Sequence, residues 1–213
     1  MDASDWDARY AATDLVWSVE PNRFVAEIFS DLPPAAVLDV AAGEGRNAIW
    51  LAEQGWHVLA SDYSAVAVER MRTLATKRLG DDSGRLTAVV ADATQAAPRP
   101  AGPGANGATG EYDAVLFCYL QLPLPERAEA WRRGVEALRP GGRLVVVGHA
   151  GRNLTEGHGG PSSRDVLYDP DEVIAEVAGL PVDVVDAGVR DRPVPTADGE
   201  RVALDTVVVL RRR

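Results

Sequence analysis

The sequence predicts an α/β fold: a doubly wound sheet of seven strands, mostly parallel, with an antiparallel C-terminal hairpin. Three observations carry this expectation. Short runs rich in Val and Leu alternate with amphipathic segments as far as residue 178. Near residue 40 a strand runs into a glycine turn and straight on into a helix. Two further apolar runs close the chain with no helix between them. Short, continuous apolar runs are the pattern of parallel strands covered on both faces, and strict strand–helix alternation implies a doubly wound sheet.

In chain order, the expected parallel strands are Val37–Val40, His57–Ala60, Leu86–Val90, Ala114–Tyr119 and Leu144–Gly148. Between them lie candidate helices at Arg46–Gln54, Ala65–Leu79 and Pro125–Leu138, with Ser64 as an N-cap and Gly80 as a stop for the second. Asp171–Ala178 reads as a fourth helix. Val182–Val189 and Val202–Leu210 then follow, separated by a polar stretch containing Ala197-Asp198-Gly199. So short a connection demands antiparallel pairing. The length of 213 residues suits a single domain over 1–213. Residues 94–110, rich in Pro, Gly and Ala, read as a flexible surface insertion.

Composition excludes several function classes. A formal net charge of −10 repels polyanions, so nucleic acid is not expected as a partner. No apolar stretch approaches the roughly 18 residues of a membrane span, and the acidic, polar N-terminus is no signal peptide. Cys118 is the only cysteine, which rules out an internal disulfide and Cys-based zinc sites; no metal is expected, and a reducing cytoplasm is the expected compartment.

The strongest motif is VLDVAAGEGRNAIWLA, Val37 to Ala52. Gly43 and Gly45 permit a sharp turn and close ligand approach, and the helix behind them offers free amides. Its spacing alone also fits a dinucleotide fingerprint. Charge separates the two: a pyrophosphate would meet Asp39 and Glu44, whereas S-adenosylmethionine brings an ammonium and a sulfonium for Asp39 and a carboxylate for the amides near Gly43. Two more acids fall in register. Asp62 of SDYS ends the second strand, where ribose hydroxyls bind in such folds. Asp92 of ADAT ends the third, placed to accept from an adenine amino group, with Ala93 offering an amide.

On these residues the chain resembles the class I S-adenosylmethionine-dependent methyltransferases, nearest to small bacterial tellurite-resistance and thiopurine-type enzymes. The resemblance rests on Leu38–Trp56, Ser61–Ser64, Ala91–Asp92, Tyr112–Pro123, Leu138–His149 and an N-terminal Trp6, Tyr10 and Trp17. It implies a Rossmann-like fold and an N-terminal helical cap, residues 1–34, over the cofactor. It also implies cofactor contacts from Trp17, Asp39, Ala41, Gly43, Gly45, Arg46, Asn47, Asp62, Tyr63, Asp92, Ala93 and Cys118. One departure is visible: alanine stands at Ala41 and Ala42, where the family commonly has Gly or Cys.

On the acceptor side, Cys118, Tyr119 and Leu120 follow the fourth strand, where such enzymes place groups nearest the transferred methyl. The Pro-Pro-Tyr motif of nucleobase amino-methylating enzymes is absent there, so a small-molecule acceptor is expected. His149 follows the fifth strand. With an unperturbed pKa of about 6.5, an imidazole there serves as a general base or bonds loop backbone. Tyr119 and His149 are the candidate catalytic residues; Arg152, Asn153 and His158 share the loop that follows. Two other readings remain open: a non-catalytic S-adenosylmethionine-binding module, and an NAD-dependent oxidoreductase, which the acidic glycine turn and terminal hairpin disfavour. The sequence leaves the oligomeric state unassigned.

Overall fold

The computed structural model describes residues 3–12, 20–98 and 112–213. Trp17 and most of the expected 94–110 insertion fall outside them.

Two helices open the chain, α1 (Ala3–Ala11) and α2 (Arg23–Ser30). Then come β1 (Ala36–Val40), α3 (Arg46–Glu53), β2 (His57–Asp62), α4 (Ala65–Leu79) and β3 (Leu86–Val90). The second half runs β4 (Tyr112–Cys118), α5 (Glu126–Ala137), β5 (Leu138–His149), a short α6 (Asn153–Glu156), α7 (Pro170–Glu176), β6 (Val182–Thr196) and β7 (Gly199–Arg212). The sheet order is β3-β2-β1-β4-β5-β7-β6, with β7 antiparallel to both of its neighbours.

Each expected strand and helix is present. The helix ends follow the local chemistry: Ser64 caps α4 by accepting from the Ala67 amide, and Gly80 stops it. Asp169 and Glu172 form a capping box on α7, with Pro170 at its first position. The hairpin is longer than its apolar runs suggest. The polar residues between them pair as far as Thr196 with Gly199, leaving Ala197-Asp198 as the turn. Composition hid this because an exposed edge strand has little to bury on its outer face.

Alternate strand residues feed two cores, one per face. Val37, Leu116, Val145 and Val147 pack under α2, α3 and α4, joined by Phe29 and Trp56. Leu38, Phe117, Leu144 and Val146 pack under α5 and α7 with Trp131 and Tyr168. Between α5 and α7 lies a buried ion pair. The Arg127 guanidinium binds both oxygens of Glu176, and the Trp131 indole donates to Glu176 Oε2 at 2.8 Å. Among the described residues no helix is long and apolar enough to cross a membrane. The parallel strands all end on one rim, and that rim holds the candidate site.

Candidate active site

The turn after β1 is held by backbone. The Ala42 amide donates to the Ser61 carbonyl at 2.9 Å, and the Gly45 amide to the Ala42 carbonyl at 3.0 Å. Three residues of the turn have positive φ: Ala41 at 57°, Gly43 at 58° and Gly45 at 87°. Gly45 serves packing as well as the turn. A Cβ there would lie 2.3 Å from Met71 Cγ of α4, so the glycine lets α3 and α4 approach. Ala41 is the costly member, since the left-handed region penalises any side chain.

Asp39 ends β1 almost wholly buried, 1% exposed. Neither carboxylate oxygen has a hydrogen-bond partner among the described residues. Burial, and then the nearby Asp62 charge, push its pKa up to about 8; the Arg46 guanidinium and the Ala48 amide offset this only in part. The glycine turn is less acidic than its sequence suggests. Glu44 is buried and pairs with Arg70 of α4 at 2.9 Å, so the charge argument against a pyrophosphate rests on Asp39.

Asp62 is also buried, and its two oxygens accept from the Gly43 amide at 2.7 Å and the Ser64 amide at 2.9 Å. It therefore braces the glycine turn against the start of α4. Burial raises its pKa, with those amides opposing. From α1, Asp7 accepts from the Ser64 hydroxyl and lies 3.3 Å from the Val66 amide, so the N-terminal helix sits over this corner. Trp6 and Tyr10 stack at 5.7 Å, with Tyr10 buried. Asp92 turns one oxygen onto its own loop, accepting from the Thr94 amide and hydroxyl at 2.8 and 2.7 Å. Tyr63 is exposed, and Ala93 packs on the core beneath the rim.

At the ends of β4 and β5 the rim changes character. Tyr119 takes a positive φ of 62°. Its ring lies 4.7 Å from the His149 imidazole, and its hydroxyl donates to Asp205 Oδ2 at 2.6 Å. Arg192 Nε donates to the same oxygen at 2.6 Å, and His149 Nδ1 stands 3.2 Å from Asp205 Oδ1. Asn22 caps α2 and donates its amide to the Tyr119 hydroxyl, while Asn47 Oδ1 accepts from the Asn22 backbone. The Arg46 and Arg192 guanidiniums lie 5.8 and 5.7 Å from the Tyr119 ring centroid. Burial draws the Asp205 carboxyl upward, yet the contacts from His149, Arg192 and Tyr119 outweigh it, and the group sits below the usual carboxylate range. Burial, then the Asp205 charge, hold the Tyr119 phenol well above its ordinary value, so it is a neutral donor. Burial pushes the Cys118 thiol up to about 12, which leaves it protonated and removes it as a nucleophile.

The structure thus brings Tyr119 and His149 together and adds Asp205, Arg192 and Asn22, which the sequence reading passed over. A signal for Asp205 was present: an acid inside VALDTVVVL, an otherwise apolar strand, is rarely buried without partners. In the loop after β5, His158 and Arg152 are exposed. Asn153 is structural, accepting from the Leu204 amide and donating to the Gly159 carbonyl.

Residues 37–142 match the methyltransferase domain family. The demethylmenaquinone methyltransferase of Clavibacter sepedonicus is 32% identical over 133 residues, which is 62% of this chain and 47% of that protein. The chain therefore spans less than half the length of that curated relative. Among solved structures, a protein studied for the conversion of a disulfide bond into a thioacetal group during echinomycin biosynthesis superposes with a TM-score of 0.76. It shares 19% identity and covers 99% of this chain and 91% of its own. The 1,6-didemethyltoxoflavin-N1-methyltransferase of Burkholderia thailandensis, solved with its substrate and S-adenosylhomocysteine, gives 0.67 at 20% identity, with 99% and 86% covered. At such identities these likenesses speak to the fold.

Proposed function

The chain belongs to the class I S-adenosylmethionine-dependent methyltransferases, and on that premise we propose that it binds S-adenosylmethionine along the carboxyl ends of β1 to β3 and methylates a small-molecule acceptor beside Tyr119 and His149. The observation that carries the reading is Asp39. A buried carboxylate without a hydrogen-bond donor is costly unless a cation completes it. The cofactor's ammonium is such a cation, and a pyrophosphate is the opposite. Bound there, S-adenosylmethionine supplies a methyl group on a positively charged sulfur, the electrophile of the reaction.

The chain's own residues divide the remaining work. The amides around Gly43 and Gly45, at the start of α3, suit the cofactor carboxylate. Asp62 keeps a lone pair on each oxygen for ribose hydroxyls, and Asp92 retains its second oxygen for an adenine amino group, next to Ala93. Ala41, Arg46, Asn47, Tyr63 and Cys118 flank these groups. Within the segment 1–34, α1 and α2 form the cap over the cofactor, and 1–213 acts as one catalytic domain. At the acceptor end, Tyr119 lines the pocket and His149 takes a proton from the acceptor. The relatives are named for demethylmenaquinone and 1,6-didemethyltoxoflavin, which supports a small organic acceptor here. The single cysteine and the acidic charge fit a reducing compartment and disfavour nucleic acid.

Calorimetric titration with S-adenosylmethionine, S-adenosylhomocysteine and NAD tests the cofactor assignment. Binding of the first two and none of NAD is expected; the reverse result refutes it. Turnover with a panel of small N–H, O–H and S–H acceptors separates an enzyme from a binding module.

A further inference from the structure

The Asp205 carboxylate lies fully buried at the centre of the acceptor end, and its two oxygens have different surroundings. Oδ2 accepts from the Tyr119 hydroxyl and from Arg192 Nε, both at 2.6 Å. Oδ1 is buried and, among the described residues, has no hydrogen-bond partner; the nearest polar atom recorded is His149 Nδ1 at 3.2 Å, off the line of a well-formed hydrogen bond. With a guanidinium and a phenol donating to its other oxygen, the carboxylate is ionised. A negative oxygen at 3.2 Å repels a ring lone pair and attracts an N–H. The neutral imidazole must therefore carry its proton on Nδ1, which leaves the lone pair on Nε2. The imidazole side chain is 11% exposed, and Nδ1 is its nitrogen that is buried without a hydrogen-bond partner. A Cβ on Gly160, whose φ is +84°, would lie 2.9 Å from His149 Cδ2 and Nε2 and 3.0 Å from Cγ, so the glycine lets the following loop pack against the face of the ring.

We propose that Asp205 is a positioning residue that fixes the tautomer of His149, so that the imidazole presents an unprotonated Nε2 to an acceptor bearing an N–H or O–H. The proposal rests on the methyl-transfer reading and narrows its acceptor class. In the proton step the acceptor's N–H or O–H bond breaks, its electron pair stays on the acceptor atom, and a new N–H bond forms at His149 Nε2. The resulting imidazolium then faces the Asp205 charge, which stabilises it. A thiolate, which has no proton to lose, would gain nothing from this arrangement.

Asp205→Asn gives a sharp expectation. Two donors, Tyr119 and Arg192, fix the amide oxygen at the Oδ2 position, so the new NH2 faces His149 Nδ1. An NH2 there requires a lone pair on Nδ1 and moves the proton to Nε2. The tautomer should invert, and turnover of an N–H or O–H acceptor should fall by about 10²–10⁴, with S-adenosylmethionine affinity within about threefold of wild type.

Nitrogen-15 NMR of the histidine ring, at a pH where it is neutral, reads the tautomer directly and needs no substrate. Wild-type protein should show the Nδ1–H form, and Asp205→Asn the Nε2–H form. An Nε2–H wild type overturns the proposal, even if the Asn variant does not fold. An unchanged Nδ1–H form in a folded Asp205→Asn protein overturns the role of Asp205. Loss of S-adenosylmethionine binding in wild type would instead defeat the methyl-transfer reading and leave the tautomer result standing.

Discussion

Ionising Asp39 places a negative charge in a buried position that the Ala48 amide and the Arg46 guanidinium offset only in part, and this has opposite consequences for folding and for binding. Its unfolded pKa is about 3.9, and its folded value is about 8. Between those pH values the unfolded chain releases the proton and the folded chain keeps it, so stability falls as pH rises from about 4 to about 8. Asp39→Asn removes that loss. We expect the variant to melt higher than wild type at pH 9, to show little difference near pH 4, and to bind S-adenosylmethionine about tenfold more weakly or worse, given roughly 1.5–3 kcal/mol for a hydrogen bond to a charged group. Thermal melts across pH, with calorimetry, check all three; native affinity in the variant removes Asp39 from the site. Ala41, at φ 57°, offers a simpler case. Relief of about 1–2 kcal/mol of left-handed strain, less about 0.5–1 kcal/mol of added chain entropy, should make Ala41→Gly more stable by about 0.5–1 kcal/mol, or about 1–4 °C in Tm. At this scale the sequence revealed the acids at the strand ends, because strand-terminal position is a local property. It did not reveal that Asp62 braces the glycine turn or that Glu44 pairs with Arg70, because side-chain partners 19 and 26 residues away leave no local trace.

Elements are held by packing between them, and the clearest lock joins α5 to α7. Arg127 and Glu176 are nearly buried, and Glu176 also satisfies the Trp131 indole. Removing one partner strands the other's charge, at about 3–5 kcal/mol. Glu176→Ala should therefore lower Tm by on the order of 10 °C, and Glu176→Gln, which keeps acceptor and shape, should cost less. Equal melting of the Ala variant and wild type would show that the pair contributes nothing. Burial pulls the Arg127 guanidinium down, but its hydrogen bonds to Glu176 prevail, so it stays charged at any working pH and this lock is not a pH switch. Element type was readable from the sequence because apolar periodicity and caps are local. The hairpin's true length was not, because polar residues from Arg190 to Thr196 gain strand structure from the partner strand β7 and not from burial.

For the molecule as a whole, ligand binding and proton balance are linked through Asp39. A cation beside that carboxylate lowers its pKa, so binding near pH 7 should release up to one proton, and affinity should rise with pH up to about 8. Calorimetry in buffers of differing ionisation enthalpy measures the release directly; a heat independent of buffer would contradict it. Fold class was legible at this scale because the order of strands and helices is written along the chain, and so were Tyr119 and His149 at strand ends; their partners Asp205, Arg192 and Asn22 were not, because that cluster is assembled across the chain. Tyr119 binds a residue 97 positions before it and another 86 after it. That distance has a consequence in time. The glycine turn, Asp39, Asp62 and Asp92 come from β1 to β3 and need only neighbouring segments to meet, contacts of low contact order that form early. The cluster around Asp205 waits until β7 slots between β5 and β6, closing a loop of 86 residues back to Tyr119. During synthesis the residues around the glycine turn therefore meet first, and the cluster around Asp205 is completed only when the hairpin docks.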